Sequence, residues 1–294
     1  MRAALALALA LIAAPAAAQQ IALTFDDLPA HDPLPAGESH LSVNRAILRA
    51  LAEAKAPATG FVNGARVGDD PTGAEVLAAW RAAGHPLGNH TWKHGRLTAN
   101  DAIAFEAAIV RNEELLKPLG EGWRWFRFPY LAEGETPEVR ARARGFLAGR
   151  GYRIASVTLD FGDWAYNGAY ARCRAKGDAA AIADLEQRFL AAASDSLDRA
   201  RALSQRLYGR DVPLVLLLHV GAFDARMAPR LLDLYRRKGA TFVSLEQAQA
   251  DAFYRADTGA LPRAEPLTLD NEARRRGLPL PPPVGVEGLD KVCR

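Results

Sequence analysis

An α/β fold built on a parallel sheet is the architecture this sequence predicts, and three observations predict it. Short apolar runs recur at residues 21–25, 59–62, 125–128, 154–159, 214–218 and 241–245. Segments with helical periodicity lie between them, and strands alternating with helices give parallel β/α units. Carboxylates and a histidine stand just after several of the runs, at Asp26, Asp27, Asp160, Asp163 and His219. Loops at the C-terminal ends of parallel strands are where such folds carry their chemistry.

Taken in order, the chain opens with a segment of a different kind. Arg2 precedes an apolar run over 3–14, and Ala16, Ala17 and Ala18 lead to Gln19. A positive start, an apolar stretch and small residues before a cut read as a secretory signal peptide over 1–18. The run falls short of the roughly 20 residues that span a bilayer, so the expectation is export to a periplasmic or secreted location. No later stretch is long and apolar enough for a transmembrane helix.

The first strand follows at 21–25. A helix over 41–55 sets Val43, Ile47, Leu48 and Leu51 on one face, and a strand comes at 59–62. The next helix, 72–83, opens after Asp69-Asp70-Pro71, a start signal. Residues 98–116 form another, with Ile103, Phe105, Ile109 and Leu115 as its apolar positions. Strands at 125–128 and 154–159 precede a long excursion over 165–212, helical from 179 to 207 and placed to border a site. The strand 214–218 leads to a helix over 227–238 that ends at Gly239 as a glycine C-cap would, then to the strand 241–245. From 261 onward the chain is rich in proline and arginine, with Pro281-Pro282-Pro283 near its end. That tail reads as an extended segment on the surface or a flexible one.

Composition agrees with a folded globular chain: of 294 residues, 49% are hydrophobic and 24% charged. The net charge of +3 comes from interspersed charges. The clusters Arg140, Arg142, Arg144 and Arg274 to Arg276 read as solvated helix faces, so nucleic acid is not an expected partner. Cys173 and Cys293 could form one disulfide in an exported protein, or stand as two unrelated thiols.

The chemistry-bearing residues form a pattern. His90 and His94 place two imidazoles four residues apart, so that one helical turn or a tight loop can aim both at one cation. Asp26 and Asp27 leave adjacent carboxylates at the end of a buried strand, which is costly unless a cation or an arginine compensates. A turn cap before Pro29 is the plainer use of either aspartate. One carboxylate with both histidines would complete a three-ligand set, leaving the other to act on water. Arg127, in Trp125-Phe126-Arg127-Phe128-Pro129-Tyr130, could hold Asp26 ionised through a charge-assisted pair, or be a surface arginine on an edge strand. A carboxylate from Asp160-Phe161-Gly162-Asp163-Trp164 beside His219 would raise its pKa and favour a proton donor.

Five motifs occur here in a known order: Thr24-Phe25-Asp26-Asp27, His90 to His94, Arg127-Phe128-Pro129-Tyr130, Asp160 to Trp164, and Leu217-Leu218-His219. In these the chain resembles the polysaccharide deacetylase family, carbohydrate esterases that share the NodB homology domain. The motifs run from residue 24 to 219, about two thirds of the chain. The resemblance implies a distorted, incomplete (β/α) barrel of the NodB homology type over 19–260, interrupted by the 165–212 insertion and followed by the 261–294 tail. It implies a metal-dependent hydrolase that removes N-linked acetyl groups from an amino-sugar-containing glycan.

By the same resemblance Asp26 is the general base, and Asp27, His90 and His94 are the metal ligands. Arg127 tethers the base, and Tyr130 offers a backbone N–H to the oxyanion. Asp163 partners His219, the general acid, and Trp164 and Leu217 line the acetyl pocket. Zinc is the default for such a ligand set; cobalt, nickel or iron(II) fit the same donors. Phe128 before Pro129, and the absence of a glycine after Tyr130, depart from the family pattern. His85 is expected to be a structural hydrogen-bonding residue, and His31 and His40, in the loop after the first motif, to be solvent-exposed or else in contact with substrate. Three other functions fit parts of the pattern: hydrolysis of a small non-sugar amide on the same fold, non-catalytic glycan binding, and a non-haem iron oxygenase triad. The last leaves Asp163 and His219 without roles.

Overall fold

The first strand runs well past the five residues its apolar run suggests. In the computed structural model, which describes residues 18–258 and 262–294, β1 covers Gln19–His31 and is buried along nearly its whole length. It lies inside a parallel sheet with helices packed on it, and strands of this kind lose the polar/apolar alternation of a half-exposed strand. The signal-peptide reading falls, apart from Ala18, outside the described residues. Among the described residues no helix is long and apolar enough to cross a membrane.

The elements follow as α1 (His40–Glu53), β2 (Ala58–Val62), α2 (Gly64–Asp69), α3 (Gly73–Ala82), β3 (Leu87–Asn89), α4 (Ala102–Leu116) and β4 (Trp125–Phe126). Then come α5 (Pro137–Gly149), β5 (Arg153–Ile154), α6 (Trp164–Lys176), α7 (Ala179–Tyr208), β6 (Leu214–Gly221) and α8 (Ala222–Arg237). β7 (Ala240–Phe242), α9 (Leu245–Gln249), α10 (Ala252–Thr258) and α11 (Leu269–Arg275) complete the series. The sheet order is β5–β4–β3–β2–β1–β6, with β7 on the start of β1, and each pairing is parallel.

The apolar run 154–159 is not one strand. Ile154 pairs with Phe126 on β4, whereas Leu159 bridges to Leu216 on β6, at the opposite edge of the sheet. The chain thus crosses from one edge to the other and draws the sheet into a distorted, incomplete (β/α) barrel. Arg127 fills the breach: its Nε donates to the Ala155 carbonyl at 2.7 Å and its Nη2 to Thr24 Oγ1 at 3.0 Å.

Several elements differ from the sequence expectations. β3 was not expected: three residues with a central glycine carry too little periodicity. Helix α5, capped by Thr136, is masked by its alternating Arg and Ala. Arg144 on it is no solvated face residue. It is fully buried between Glu133 at 2.7 Å and Asp257 at 2.5 Å. Ile103 is 73% exposed, because the buried stripe of α4 runs through Ala102, Phe105, Ile109 and Leu116, and Ile103 lies one residue off it. Helix α8 begins at Ala222, directly after β6, so that Pro229 lies inside it.

The excursion after Asp163 is a helical pair. α6 and the 30-residue α7 pack on each other and on α8. The tail from 262 is packed on this pair: Arg199 binds Asp270 at 2.8 Å and the Pro282 carbonyl at 3.1 Å, and Arg206 reaches Pro279. Cys173 on α6 is joined to Cys293 by a disulfide with Cα atoms 5.2 Å apart.

Candidate active site

β1 delivers two carboxylates to one place. A regular strand would point Asp26 and Asp27 to opposite faces. Asp26 pairs with His219 in the β1–β6 ladder, the register breaks beyond it, and Asp27 adopts a left-handed backbone with φ 69°. Both carboxylates therefore reach His90 Nε2, at 3.6 Å from Asp26 and 3.7 Å from Asp27.

His90 and His94 stand on a tight loop after β3, with Thr91 at φ 66° and His94 at φ 53°. Asn63, at the end of β2, donates to the His90 carbonyl at 2.7 Å, and Asn89 accepts from the Thr91 amide at 2.9 Å. His90 Nδ1 donates to the Arg127 carbonyl at 2.8 Å, which leaves Nε2 as the lone-pair atom. With Tyr130 at φ 58°, the site gathers four non-glycine residues in a strained backbone region, as functional sites often do.

Asp27 Oδ1 lies 3.3 Å from His94 Nε2, and one ligand atom each from Asp27, His90 and His94 falls within 4.8 Å of the others. The charge states suit a cation. Burial pushes His90 and His94 down to about 4, so both imidazoles are neutral near pH 7, the form that ligates. Burial opposes the charge on Asp27, but the His31 hydrogen bond, followed by the electrostatic pull of the His90, His94 and His219 rings, holds its pKa far below the usual carboxylate range. Asp27 Oδ1 is buried without a hydrogen-bond partner, while Oδ2 is held by His31 Nδ1 at 2.8 Å. An orphaned carboxylate oxygen facing two neutral imidazole nitrogens fits a divalent cation.

Two pairs flank this cluster. Arg127 Nη1 lies 3.3 Å from both oxygens of Asp26. The pairing expected of Arg127 is present, but burial outweighs Arg127 and His219 and lifts the Asp26 carboxyl to about 6. On the other side, His219 Nδ1 meets Asp163 Oδ1 at 3.0 Å and its backbone amide donates to Oδ2 at 2.6 Å. Burial pulls His219 down, yet the Asp163 charge and hydrogen bond, helped by Asp27 and Asp26, raise it to about 10. One carboxylate that can take a proton and one imidazolium that can give one thus stand around the same cluster.

The remaining residues singled out from the sequence are distributed around it. The Tyr130 ring packs on His94, centroids 4.5 Å apart, beneath Arg96, and is 58% exposed. Trp164 opens α6 and is 49% exposed, and Leu217 is buried on β6. His85 accepts from the Ala58 amide as a structural residue. His31 is not the exposed loop residue expected. It ends β1, binds Asp27 and packs its ring 5.1 Å from that of His219. His40 is likewise paired, with Asp70 and Asp32. Sequence reading also missed Arg66, 3.6 Å from Asp27, and Thr24, which positions Arg127. The signal for His31 was its place four residues after Asp27, legible only if the strand continues past the bulge.

Residues 13–148 match the polysaccharide deacetylase family. A chitooligosaccharide deacetylase of Rhizobium leguminosarum bv. trifolii is 39% identical over 98 residues, 33% of this chain and 40% of that protein. A chitin deacetylase of a Pestalotiopsis species is 29% identical over 147 residues, 50% of this chain and 44% of that one. The matched stretches thus span less than half the length of these relatives. Among solved structures, the chitin deacetylase of Colletotrichum lindemuthianum superposes with a TM-score of 0.57 at 22% identity, covering 80% of this chain and 89% of that one. The chain is thus similar to the polysaccharide deacetylase family over residues 13–148, just under half of its length, and shares the barrel fold of a solved chitin deacetylase.

Proposed function

We propose that the protein is a divalent-metal-dependent deacetylase that hydrolyses the N-linked acetyl group of an amino sugar within a glycan. The observation that carries this reading is the set of two proton-handling pairs, Asp26–Arg127 and Asp163–His219, on either side of one three-donor cluster. The names of the relatives, chitin deacetylase and chitooligosaccharide deacetylase, support a polymer of N-acetylated glucosamine as substrate class. An exported location, from the leading segment over 1–18, puts the enzyme where such polymers are found.

Asp27, His90 and His94 would hold the cation, with zinc best suited to two imidazoles and one carboxylate. When bound, it would supply a Lewis acid that polarises the acyl carbonyl and makes water acidic near neutral pH. Asp26, oriented by Arg127, takes the proton of the attacking water. The Tyr130 amide donates to the oxygen on which negative charge develops, the electrostatic contribution that is usually largest. His219, held as imidazolium by Asp163, gives a proton to the departing nitrogen, without which the adduct collapses back to amide. Acetate and a free amine leave, and Asp26 and His219 return to their starting protonation by exchange with solvent. Leu217 and Trp164 supply apolar surface for the acetyl methyl.

The test is acetate release from N-acetylated chitooligosaccharides and peptidoglycan fragments by the zinc-loaded protein. Release is expected, abolished by chelator, and absent from a His90→Ala, His94→Ala double variant that no longer binds zinc. A double variant that retains stoichiometric zinc overturns the ligand assignment. Acetate or ammonia released only from small amides overturns the glycan assignment.

A further inference from the structure

Helix α8 starts without a loop after β6, and its third residue, Asp224, is carried by that junction into the interior behind His219. Neither Asp224 oxygen accepts a hydrogen bond from any donor among the described residues. Its contact is the carboxyl of Asp163. Asp163 is already engaged on both oxygens, by His219 Nδ1 and by the His219 amide. Ionised carboxylates only accept, so two of them buried in contact require a proton between them.

The surroundings decide which one carries it. Asp163 faces the imidazolium and accepts two N–H bonds, whereas Asp224 accepts none. The other groups nearby add no cation on the Asp224 side. Asp160 and the buried Tyr235 hydroxyl face Asp163, while Asp26 and Asp27 face His219. Three influences oppose: the His219 charge, the Asp224 backbone amide, and the first turn of α8, where helix N–H groups favour an anion. Together they are outweighed by the cost of burying a carboxylate against another. Burial and the Asp163 charge accordingly hold the Asp224 carboxyl well above the usual range.

We propose that Asp224 is a neutral positioning residue whose carboxylic O–H donates to Asp163, so that His219 faces one anchored anion rather than two. The proposal deepens the deacetylase reading and rests on it for the catalytic use of His219. Asp224 touches no reacting atom and acts through Asp163, fixing the carboxylate that orients the His219 ring.

The experiment is an NMR titration of the His219 ring in the zinc-loaded wild type and in Asp224→Asn, which keeps the shape and a donor but cannot be charged. If Asp224 is already neutral, the proton affinity of His219 is unchanged. A tenfold or greater loss of that affinity would mean that an anion had been removed, and would overturn the proposal. Asp224→Leu, which also lacks charge, gives the same reading should the asparagine variant fail to fold. Kinetics supply the positioning half: Asp224→Asn keeps kcat to within about threefold, while Asp224→Leu loses about tenfold or more in kcat at unchanged KM. Equal kcat in wild type and folded Asp224→Leu would refute a positioning role. A wild type that releases no acetate would fail the functional reading instead; the charge state of Asp224 is still decided by the titration, which needs no turnover.

Discussion

At the scale of single residues, the aspartates and histidines of the motifs were legible because their chemistry is local: adjacent carboxylates after a strand and two imidazoles at short spacing. What was not legible was their ionisation. An arginine beside Asp26 suggested a firmly charged base, yet complete enclosure outweighs the guanidinium and leaves the carboxyl near 6. His219 illustrates the reverse, an imidazole kept protonated to about 10 despite enclosure because Asp163 accepts two bonds from it. The sign follows directly. The imidazolium is present at neutral pH and lost as pH rises through about 10, so the proton donor proposed for the reaction fails on the alkaline side. Its contribution to stability is fully present below the ordinary histidine value and disappears over that same rise. Asp163→Asn removes the largest influence raising His219. Its alkaline limb in kcat against pH is expected to move toward the acid side, with a loss of about a hundredfold or more at neutral pH. A limb that stays in place would separate Asp163 from the proton donor.

At the scale of elements, long periodic segments were read well and short ones poorly. α1, α3 and α7 fell within a residue or two of their expected bounds, since a repeated apolar stripe marks each. β3, β4 and β5 hold only two or three residues in register, and their pairing is decided by neighbours far away in sequence. The β6–α8 junction shows what the local pattern conceals. Gly221 has an ordinary backbone, but a methyl there would lie 2.6 Å from Asp224 Oδ2 and 3.2 Å from Asn167. Asn167 in turn donates to the His31 and Pro33 carbonyls at 2.7 and 2.9 Å, holding the end of β1 against α6. Gly221→Ala is therefore expected to destabilise by about 1–3 kcal/mol through overpacking, measured as a lower denaturant midpoint at unchanged slope. A neutral effect would mean that this junction yields more readily than its packing implies.

At the scale of the whole molecule, strand–helix alternation made the parallel architecture legible. The incomplete barrel came from the family resemblance and not from the apolar pattern, because a single apolar run serves both edges of the sheet. The tail was left between two readings and proves to be packed, its arginine and carbonyl contacts directed to α7. The disulfide closes a separation of 120 residues between α6 and the last turn of chain. A cross-link of that span restricts the unfolded chain strongly, so Cys173→Ser with Cys293→Ser is expected to cost about 2–5 kcal/mol. Thermal unfolding with and without reductant checks this: the reductant should lower the wild-type midpoint and leave the double variant unaffected.

Residue 127 speaks to both halves of the centre at once, by its guanidinium to Asp26 and by its carbonyl to His90. The two messages travel through different atoms, one replaceable by substitution and one belonging to the main chain. Trimming the side chain would silence the base while the imidazole kept its tautomer. On the proposed function, cation binding and turnover would thereby be uncoupled at one position, giving a loaded yet inert form with which to trap a chitooligosaccharide.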